Sequence, residues 1–301
     1  MKASLLSIAA LLGVMTAACG GGDSGGADGD TRPPVVATTA IIGALVRAVG
    51  GEQVRVEVLA PSGVDPHEYE LTAENLRQVE RAKVILRNGI GLDAFLDKAL
   101  KGSQERVVIV TDGVGLRRGE GGEAKESDPH VWQNPLNVKV MVENIAGALA
   151  KFDPARADVY RQNAKTYGQK LDDVDGQIQQ LIESIPAASR KMVTNHDAFG
   201  YFIERYGLTF VGAVIPSMTT QAEPSAKDIA TLEDTIRRER VKAVFAESSI
   251  DPKIAQQIAK DTGVKIVDDL YGDTLGKAGS GADTVDGMLL TNARKIAEAL
   301  R

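Results

Sequence analysis

Residues 35–60 read VVATTAIIGALVRAVGGEQVRVEVLA, and the fold can be predicted by starting from this stretch. A β-branched run at 35–38 precedes helix-like spacing of apolar residues at 41–49, and a second strand-like run occupies 54–59. Strands that alternate with helices in this way build a parallel sheet, because each helix carries the chain back to the starting edge. The stretch therefore predicts a βαβ unit.

The same alternation extends along most of the chain. In the first half we predict further helices at 72–81 and 92–100 and strands at 83–86 and 107–110. In the second half we predict strands at 191–194, 208–214, 241–246 and 265–267, and helices at 198–206, 225–240, 252–262 and 283–300. These patterns predict two α/β lobes with parallel sheets, at residues 33–150 and 187–301.

Two helical patterns, at 137–151 and about 154–184, separate the two sets of strands. The second pattern is long and rich in Gln and Asp, which favours a rigid strut between lobes over a core element. We assign the link to residues 151–186 and expect a ligand cleft between the lobes, at the carboxyl ends of their strands. The Gly-rich, polar stretch 113–127 is expected to be an exposed loop.

Composition excludes several classes of protein. With 43% hydrophobic and 25% charged residues among 301, the chain has the composition of a folded globular protein and not of a disordered or fibrous one. Its formal charge of −6 and its lack of a basic stripe argue against a nucleic-acid partner. Because Cys19 is the only cysteine, an internal disulfide or a thiolate-rich metal site cannot form. Any metal site must use histidines and carboxylates.

The first 18 residues predict a signal peptide, in which Lys2 precedes an apolar run at 5–14 that is too short to span a bilayer. Residues 16–19, TAAC, resemble the lipobox of bacterial lipoproteins, where the signal is cleaved and the cysteine is acylated. This resemblance implies lipidation of Cys19, followed by a flexible tether at 19–32. We expect a lipid-anchored protein on the extracytoplasmic face of the cell membrane.

Three histidines are present, and each lies in a turn-like segment after a strand or loop. His67 lies in PSGVDPHEY (61–69), His130 in DPHVW (128–132), and His196 in TNHDAF (194–199). By the strand-end argument all three open onto the cleft, where three imidazoles suit Zn²⁺ or another borderline divalent metal. The site is therefore predicted to bind a metal.

Carboxylates near these histidines complete the predicted site. Three of them are close enough in sequence to fix imidazole tautomers as hydrogen-bond acceptors: Asp65, Asp128 and Asp197. A fourth ligand is expected from the second lobe, where the candidates are Glu223, Glu247, Asp268, Asp269 and Asp273. Strand-end position favours Glu247 or the segment 268–273, and spacing alone does not choose between them.

Several segments together resemble the zinc- and manganese-binding solute receptors of bacterial ABC importers, over about residues 33–301. The matching segments are 61–69, 128–135, 196–199 with 206–208, 223–225 and 273–275. The resemblance implies two lobes with a rigid helical backbone and the metal ligands His67, His130, His196 and Asp273. It places Glu247 outside the usual ligand set, in a supporting position. It also implies a monomeric receptor, not an enzyme, that delivers metal to an ABC permease.

Zinc is the favoured metal. Manganese receptors of this family often have Glu at the position of His196, whereas three imidazoles with one carboxylate favour zinc over the harder manganese ion. Many zinc members also have a His-rich loop near residues 113–127, but this chain has Glu120, Glu123 and Glu126 there and no histidine. A manganese receptor is therefore the first alternative.

Other classes of protein compete less well. GIGLDA, at 89–94, with Asp112 further on, nearly matches a dinucleotide fingerprint. However, Asp93 would set a carboxylate where the pyrophosphate must lie, so a tight βα turn is favoured. A zinc hydrolase with Glu247 as general base would need an open coordination position, and no His-Glu-x-x-His spacing is present. An adhesin would not require the four ligands.

Overall fold

The computed structural model describes residues 32–119 and 123–301. The predicted signal peptide at 1–18, Cys19 and nearly all of the tether lie outside the described residues. No helix within the described ranges is both long and apolar enough to cross a membrane.

The first lobe is built on a four-stranded parallel sheet. Its strands are β1 (Pro34–Thr39), β2 (Arg55–Ala60), β3 (Val84–Arg87) and β4 (Val107–Ile109), and its helices are α1 (Ala40–Gly50), α2 (Ala73–Arg81) and α3 (Pro135–Phe152). The strand order is β2-β1-β3-β4, and all neighbours are parallel. Helix α1 begins directly after β1, where the Thr39 side chain accepts a hydrogen bond from the main-chain amide of Ile42. The predicted βαβ unit is confirmed.

The second lobe repeats this topology. Its strands are β5 (Lys191–Thr194), β6 (Thr209–Ala213), β7 (Ala243–Glu247) and β8 (Lys265–Leu270), and its helices are α5 (Gly200–Tyr206), α6 (Ala226–Glu239), α7 (Lys253–Thr262) and α8 (Val285–Leu300). The order β6-β5-β7-β8 again places the second strand outside the first, with all neighbours parallel. The predicted fold class, two α/β lobes with parallel sheets, is confirmed.

The helix between the lobes is α4 (Ala157–Glu183), which packs against α1 and α3 of the first lobe and α8 of the second. Its buried residues recur every three or four positions: Tyr160, Ala164, Gly168, Leu171, Val174, Ile178 and Ile182. The expectation that this helix stays outside the core is therefore wrong, because one face is an apolar stripe. A continuous hydrophobic cluster runs from the first lobe through α4 into the second.

The helix predicted at 92–100 does not form. These residues make successive turns, with a short 3₁₀ segment at Ala94–Leu96. The buried Asp93 carboxylate fixes the preceding turn by accepting hydrogen bonds from the main-chain amides of Asn88 and Gly89, at 2.7 and 3.1 Å. A bound pyrophosphate would need such amides, so the dinucleotide alternative gains no support here.

The stretch 113–127 is mostly exposed in its described part, as predicted, but it also makes specific contacts. In its described part, Arg118 and Ser127 form an antiparallel bridge. The Glu123 carboxylate reaches the second lobe, where it accepts hydrogen bonds from the Ser217 hydroxyl at 2.7 Å and the main-chain amide of Met218 at 3.0 Å. This first-lobe segment therefore also connects the two lobes.

Candidate metal centre

Four turns carry the side chains of the site; three of them follow strands, and the one with His130 follows the loop that precedes α3. His67 lies in a short 3₁₀ turn after β2, and His130 directly precedes another that leads into α3. His196 follows β5 by two residues, and Asp273 follows β8 by three. The carboxyl ends of the parallel strands place His67, His196 and Asp273 at one cleft, and the turn before α3 places His130 beside them.

The structure brings these four side chains together, with one ligand atom from each lying within 4.8 Å of the others. The Nε2 atom of His130 lies 3.3 Å from that of His67 and 3.4 Å from that of His196. The Asp273 carboxylate oxygens lie 3.2–3.4 Å from the three Nε2 atoms. All three imidazoles thus direct the same nitrogen at one point.

Two buried carboxylates hold the opposite nitrogen of two imidazoles. Asp128 Oδ1 lies 2.7 Å from His130 Nδ1, and Glu247 Oε1 lies 2.7 Å from His196 Nδ1. An acceptor at Nδ1 fixes the proton there and leaves the Nε2 lone pair directed at the shared point. Both of these carboxylates were predicted from the sequence to support the site.

The other predicted acceptors lie elsewhere. Asp65 accepts a hydrogen bond from the main-chain amide of His67 at 2.8 Å, so it shapes the turn and does not hold the ring. Asp197 lies 3.5 Å from the Arg117 guanidinium instead of contacting an imidazole. Proximity in sequence was not sufficient here, since Asp65 and Asp128 share one spacing and both bond the main chain of their histidine, but the contact with the ring is found for Asp128.

The remaining carboxylates considered as a fourth ligand lie outside the cluster. Glu223 is exposed, Asp268 accepts a hydrogen bond from Gln256, and Asp269 forms an ion pair with Lys295. Glu247 is occupied with His196 and lies one layer behind it. Asp273 is therefore the second-lobe carboxylate that faces the three imidazoles.

The charged groups of the cluster shift one another's pKa values. Burial disfavours the charged form of His196, but the carboxylates of Glu247 and Asp273 outweigh it and raise its pKa well above the usual value. For His130 the same opposition, with Asp273 and Asp128 as the carboxylates, also ends in a raised pKa. Burial alone would raise the pKa of Asp273, yet the imidazoles of His130 and His196 hold it well below its ordinary value. The cluster is a buried anion surrounded by proton-binding nitrogens.

Arg117 contacts the support of the cluster, and the sequence did not reveal it. Its guanidinium lies 2.9 Å from Asp128, which supports His130, and 3.5 Å from Asp197 in the second lobe. These carboxylates, together with burial as the opposing effect, raise the pKa of Arg117. No local motif marks this arginine, because its partners are 11 and 80 residues away in the chain.

A cavity of about 430 Å³ opens beside His67. Its lining includes four carboxylates: Glu68, Glu70, Glu123 and Glu126. His67 is the one member of the cluster that is not fully buried. The cavity therefore offers an approach to the site whose acidic wall attracts cations.

Comparison with known proteins agrees with this geometry. Residues 35–299 match the family described as zinc-uptake complex component A, periplasmic (ZnuA). The chain is 33% identical to the metal ABC transporter substrate-binding lipoprotein FimA of Streptococcus parasanguinis over 98% of this chain and 96% of that protein. It is 34% identical to the manganese-binding lipoprotein MntA of Bacillus subtilis over 100% and 98%.

A solved structure is similar as well. The periplasmic zinc-binding protein TroA from Treponema pallidum superimposes with a TM-score of 0.83 at 33% identity, covering 89% of this chain and 99% of that one. The similarity extends over both lobes, which agrees with the two-lobe fold.

Proposed function

Since this chain belongs to the ZnuA family of metal-binding receptors of ABC importers, we propose that it captures Zn²⁺ outside the cytoplasm and delivers it to an importer's permease. The proposed ligands are His67, His130 and His196 through Nε2, and Asp273 through its carboxylate. Asp128 and Glu247 hold two of the imidazoles in the tautomer that binds metal.

The spacing of the four ligand groups is the observation that carries the proposal. Four ligands bound tetrahedrally at 2.0–2.1 Å lie about 3.3–3.4 Å from one another. Five of the six separations are 3.2–3.4 Å and fit that geometry, and the sixth, between Nε2 of His67 and of His196, is within 4.8 Å. The site would need little rearrangement to enclose one ion.

The donor set supports zinc over manganese. Three imidazoles and one carboxylate match a borderline ion, and zinc lies above manganese in the general order of affinity for such donors. TroA, a structural neighbour, is named a zinc-binding protein, whereas MntA, a relative, is named for manganese. A manganese receptor is accordingly the second candidate, supported by relatives with that name.

We propose a carrier site and not a catalytic one. In a zinc hydrolase one coordination position holds a water. Here Asp273 faces the three imidazoles and would fill that position, and Glu247 bonds an imidazole instead of standing free as a general base. The family supports this view, since its members are substrate-binding components of ABC importers.

We further propose that the receptor acts as a monomer and is anchored through lipidated Cys19 after removal of residues 1–18. Relatives named as lipoproteins support the anchor. Residues 33–150 and 187–301 would be the lobes that enclose the ion, with 151–186 as the link between them. The tether at 19–32 would let the lobes reorient toward the permease.

Competitive titration of the purified, metal-stripped protein tests the proposal. We expect one zinc ion per chain, bound more tightly than manganese, and a melting temperature that rises with free zinc. Because zinc binds the folded state alone, a thousandfold excess over Kd should add about 4 kcal/mol of stability. Tighter binding of manganese would establish the second candidate. If neither ion binds near stoichiometrically, the receptor function is wrong.

A further inference from the structure

The segment that carries Asp273 belongs to the second lobe in sequence but is bonded across the cleft to the first. The carbonyl oxygen of Gly272 accepts a hydrogen bond from Trp132 Nε1 at 2.9 Å and another from Gln133 Nε2 at 2.9 Å. Both donor side chains are fully buried. One residue before the proposed anionic ligand, the main chain is therefore held by two first-lobe side chains.

The other flank of Asp273 is held in the same way. The hydroxyl oxygen of Thr274 accepts a hydrogen bond from the main-chain amide of Gly63, in the first lobe, at 2.6 Å. The segment's own lobe bonds it further back, where Asn292 pairs with both main-chain groups of Tyr271. Side chain or main chain of the first lobe thus contacts the residues on either side of Asp273.

Gly272 fills a narrow space between the lobes. A Cβ atom at this position would lie 1.7 Å from Glu247 Oε2, so no larger residue fits. Its main chain is therefore wedged between the carboxylate that supports His196 and the two first-lobe donors. The Trp132 indole also packs edge-on against His130, with ring centroids 5.5 Å apart. Trp132 thus contacts one proposed ligand and the main chain beside another.

We propose that Trp132 and Gln133 are positioning residues that hold the Gly272 carbonyl and so place the Asp273 carboxylate on the metal. This inference rests on the proposed function. The anionic ligand is then set by the lobe that does not contain it, so separation of the lobes would release the Asp273 carboxylate from its position as it parts the imidazoles of the two lobes. Closure and completion of the coordination shell become one event.

Misplacement of the carboxylate should affect the affinities for the two metals differently. Manganese depends more on oxygen ligands, whereas zinc retains three imidazoles when the carboxylate is misplaced. Loss of either donor should therefore weaken manganese binding more than zinc binding. A role confined to stabilising the fold would weaken both in equal proportion.

Gln133→Leu removes one donor with little change in volume, and Trp132→Phe removes the other while keeping an aromatic ring of smaller size. We expect zinc affinity to fall about 10- to 100-fold, as for other residues that orient ligands, and manganese affinity to fall further. Gln221→Leu is the matched control, because Gln221 donates across the cleft to the His67 carbonyl at 2.7 Å and not to the Asp273 segment. It should not lower the manganese-to-zinc affinity ratio. An equal ratio in all three variants would overturn the inference.

The same substitutions in an Asp273→Ala background separate positioning from stability. Without the carboxylate there is nothing to place, so Gln133→Leu should change zinc affinity less than twofold. An undiminished effect would show that Gln133 acts elsewhere and would overturn the inference. Parental zinc binding by Asp273→Ala itself would instead refute the proposed ligand set. If Asp273→Ala lowers zinc affinity as expected but Gln133→Leu and Trp132→Phe leave it unchanged, only the inference is refuted and the proposed ligand set stands.

The unsubstituted protein supplies a test that does not depend on how the variants fold. Trp132 is the sole tryptophan of the chain, so its indole N–H gives one assigned resonance in an NMR spectrum. If metal closes the cleft on the bond to Gly272, saturating zinc should slow hydrogen exchange of that N–H at least tenfold. Exchange at the same rate with and without zinc would show that the bond is independent of the metal and would overturn the inference.

Discussion

The two lobes share one strand order but support their metal-facing imidazoles differently. In the first lobe, Asp128 holds His130 and is itself paired with the Arg117 guanidinium at 2.9 Å. In the second, Glu247 holds His196 through one oxygen, while its other oxygen, Oε2, has no hydrogen-bond partner among the described residues. In the first lobe the charge of the supporting carboxylate is thus compensated by an arginine, whereas in the second lobe the supporting carboxylate has the imidazole of His196 as its partner. The two lobes therefore have the same strand order but pair their supporting carboxylates differently.

Removing one imidazole from each lobe, in separate variants, should have the largest effects on zinc binding and on stability. We expect His130→Ala and His196→Ala each to lower zinc affinity about 100-fold or more, since about 10–16 kcal/mol of zinc binding is shared among four ligands. Stability of the metal-free protein should differ between them. His196→Ala leaves a buried carboxyl without its partner, which costs about 3–5 kcal/mol, whereas His130→Ala leaves Asp128 with Arg117. Competitive titration and metal-free melting curves measure both effects.

A rescue variant serves as the control. Adding Glu247→Ala to His196→Ala removes the unpaired carboxyl and should recover part of the lost melting temperature, but no zinc affinity. Equal destabilisation by His130→Ala and His196→Ala would mean that Arg117 does not stabilise the first-lobe half. Unchanged zinc affinity in either variant would assign these imidazoles to packing alone.

Asp273 and Glu247 offer the next contrast, between two second-lobe carboxylates. Asp273→Ala keeps three imidazoles but loses the anionic group, so we expect zinc affinity to fall about 100-fold and the zinc-induced thermal shift to shrink. Glu247→Ala should cost less, about 10-fold, because it only orients His196. Titration and thermal shift of the two variants decide the order. If Glu247→Ala is the more damaging, the glutamate is the fourth ligand.

Much of the fold and of the site could be predicted from local sequence. Strand and helix periodicity predicted both sheets and nearly all the helices, because a buried parallel strand and an amphipathic helix each leave a signal within ten residues. The histidines could be grouped because all three follow strands or loops on the cleft side. The choice of Asp273 over Glu247 required the resemblance, since both lie near strand ends.

What local sequence did not predict are pairings between distant residues. Arg117 meets carboxylates 11 and 80 positions away, and Trp132 meets a carbonyl 140 positions away. The false helix at 92–100 arose in the same way. Asp93 lies within that pattern, but its carboxylate is bonded to the Thr38 hydroxyl of β1 at 2.9 Å and to the preceding turn. Tertiary contacts overrode the local propensity.

Zinc affinity should depend on pH, because protons and the metal would bind the same imidazole nitrogens. Because their pKa values are raised, His130 and His196 take up a proton at a higher pH than free histidine does. As the pH is lowered, zinc affinity should therefore begin to weaken before pH reaches about 6.5, and it should fall further below that pH. Both imidazoles should contribute to this dependence. Titrations from about pH 5.5 to 8.5 on the parent, His130→Gln and His196→Gln measure it.

Stability of the metal-free protein should follow the opposite trend. A histidine whose pKa is raised by folding stabilises the folded state fully below the unfolded value of about 6.5. That stabilisation is lost as pH rises through the folded pKa. The metal-free melting temperature should therefore decline with rising pH while the zinc-induced shift grows. If the metal-free melting temperature and the zinc-induced shift change in the same direction with pH, or if zinc affinity does not depend on pH, then protons and metal do not compete for the same nitrogens.

The smallest expected effect lies where the lobes touch away from the ligands. The Glu123 carboxylate of the first lobe accepts bonds from the Ser217 hydroxyl and the Met218 amide of the second. Glu123→Gln keeps the size but removes the charge, and a partly exposed bond of this kind is worth about 1 kcal/mol. We expect zinc to dissociate about fivefold faster, since the closed arrangement is less favoured, with little change in metal-free melting temperature.

Glu126→Gln isolates the bond from the charge. Glu126 lines the same acidic cavity and is exposed, so its substitution removes an equal charge without touching Ser217 or Met218. Stopped-flow release into a chelator should give a faster rate for Glu123→Gln and the parental rate for Glu126→Gln. Equal acceleration in both would assign the effect to the cavity's charge. A parental rate in both would show that the lobes are held by the core through α4 and the contacts beside Asp273, and that this segment adds nothing.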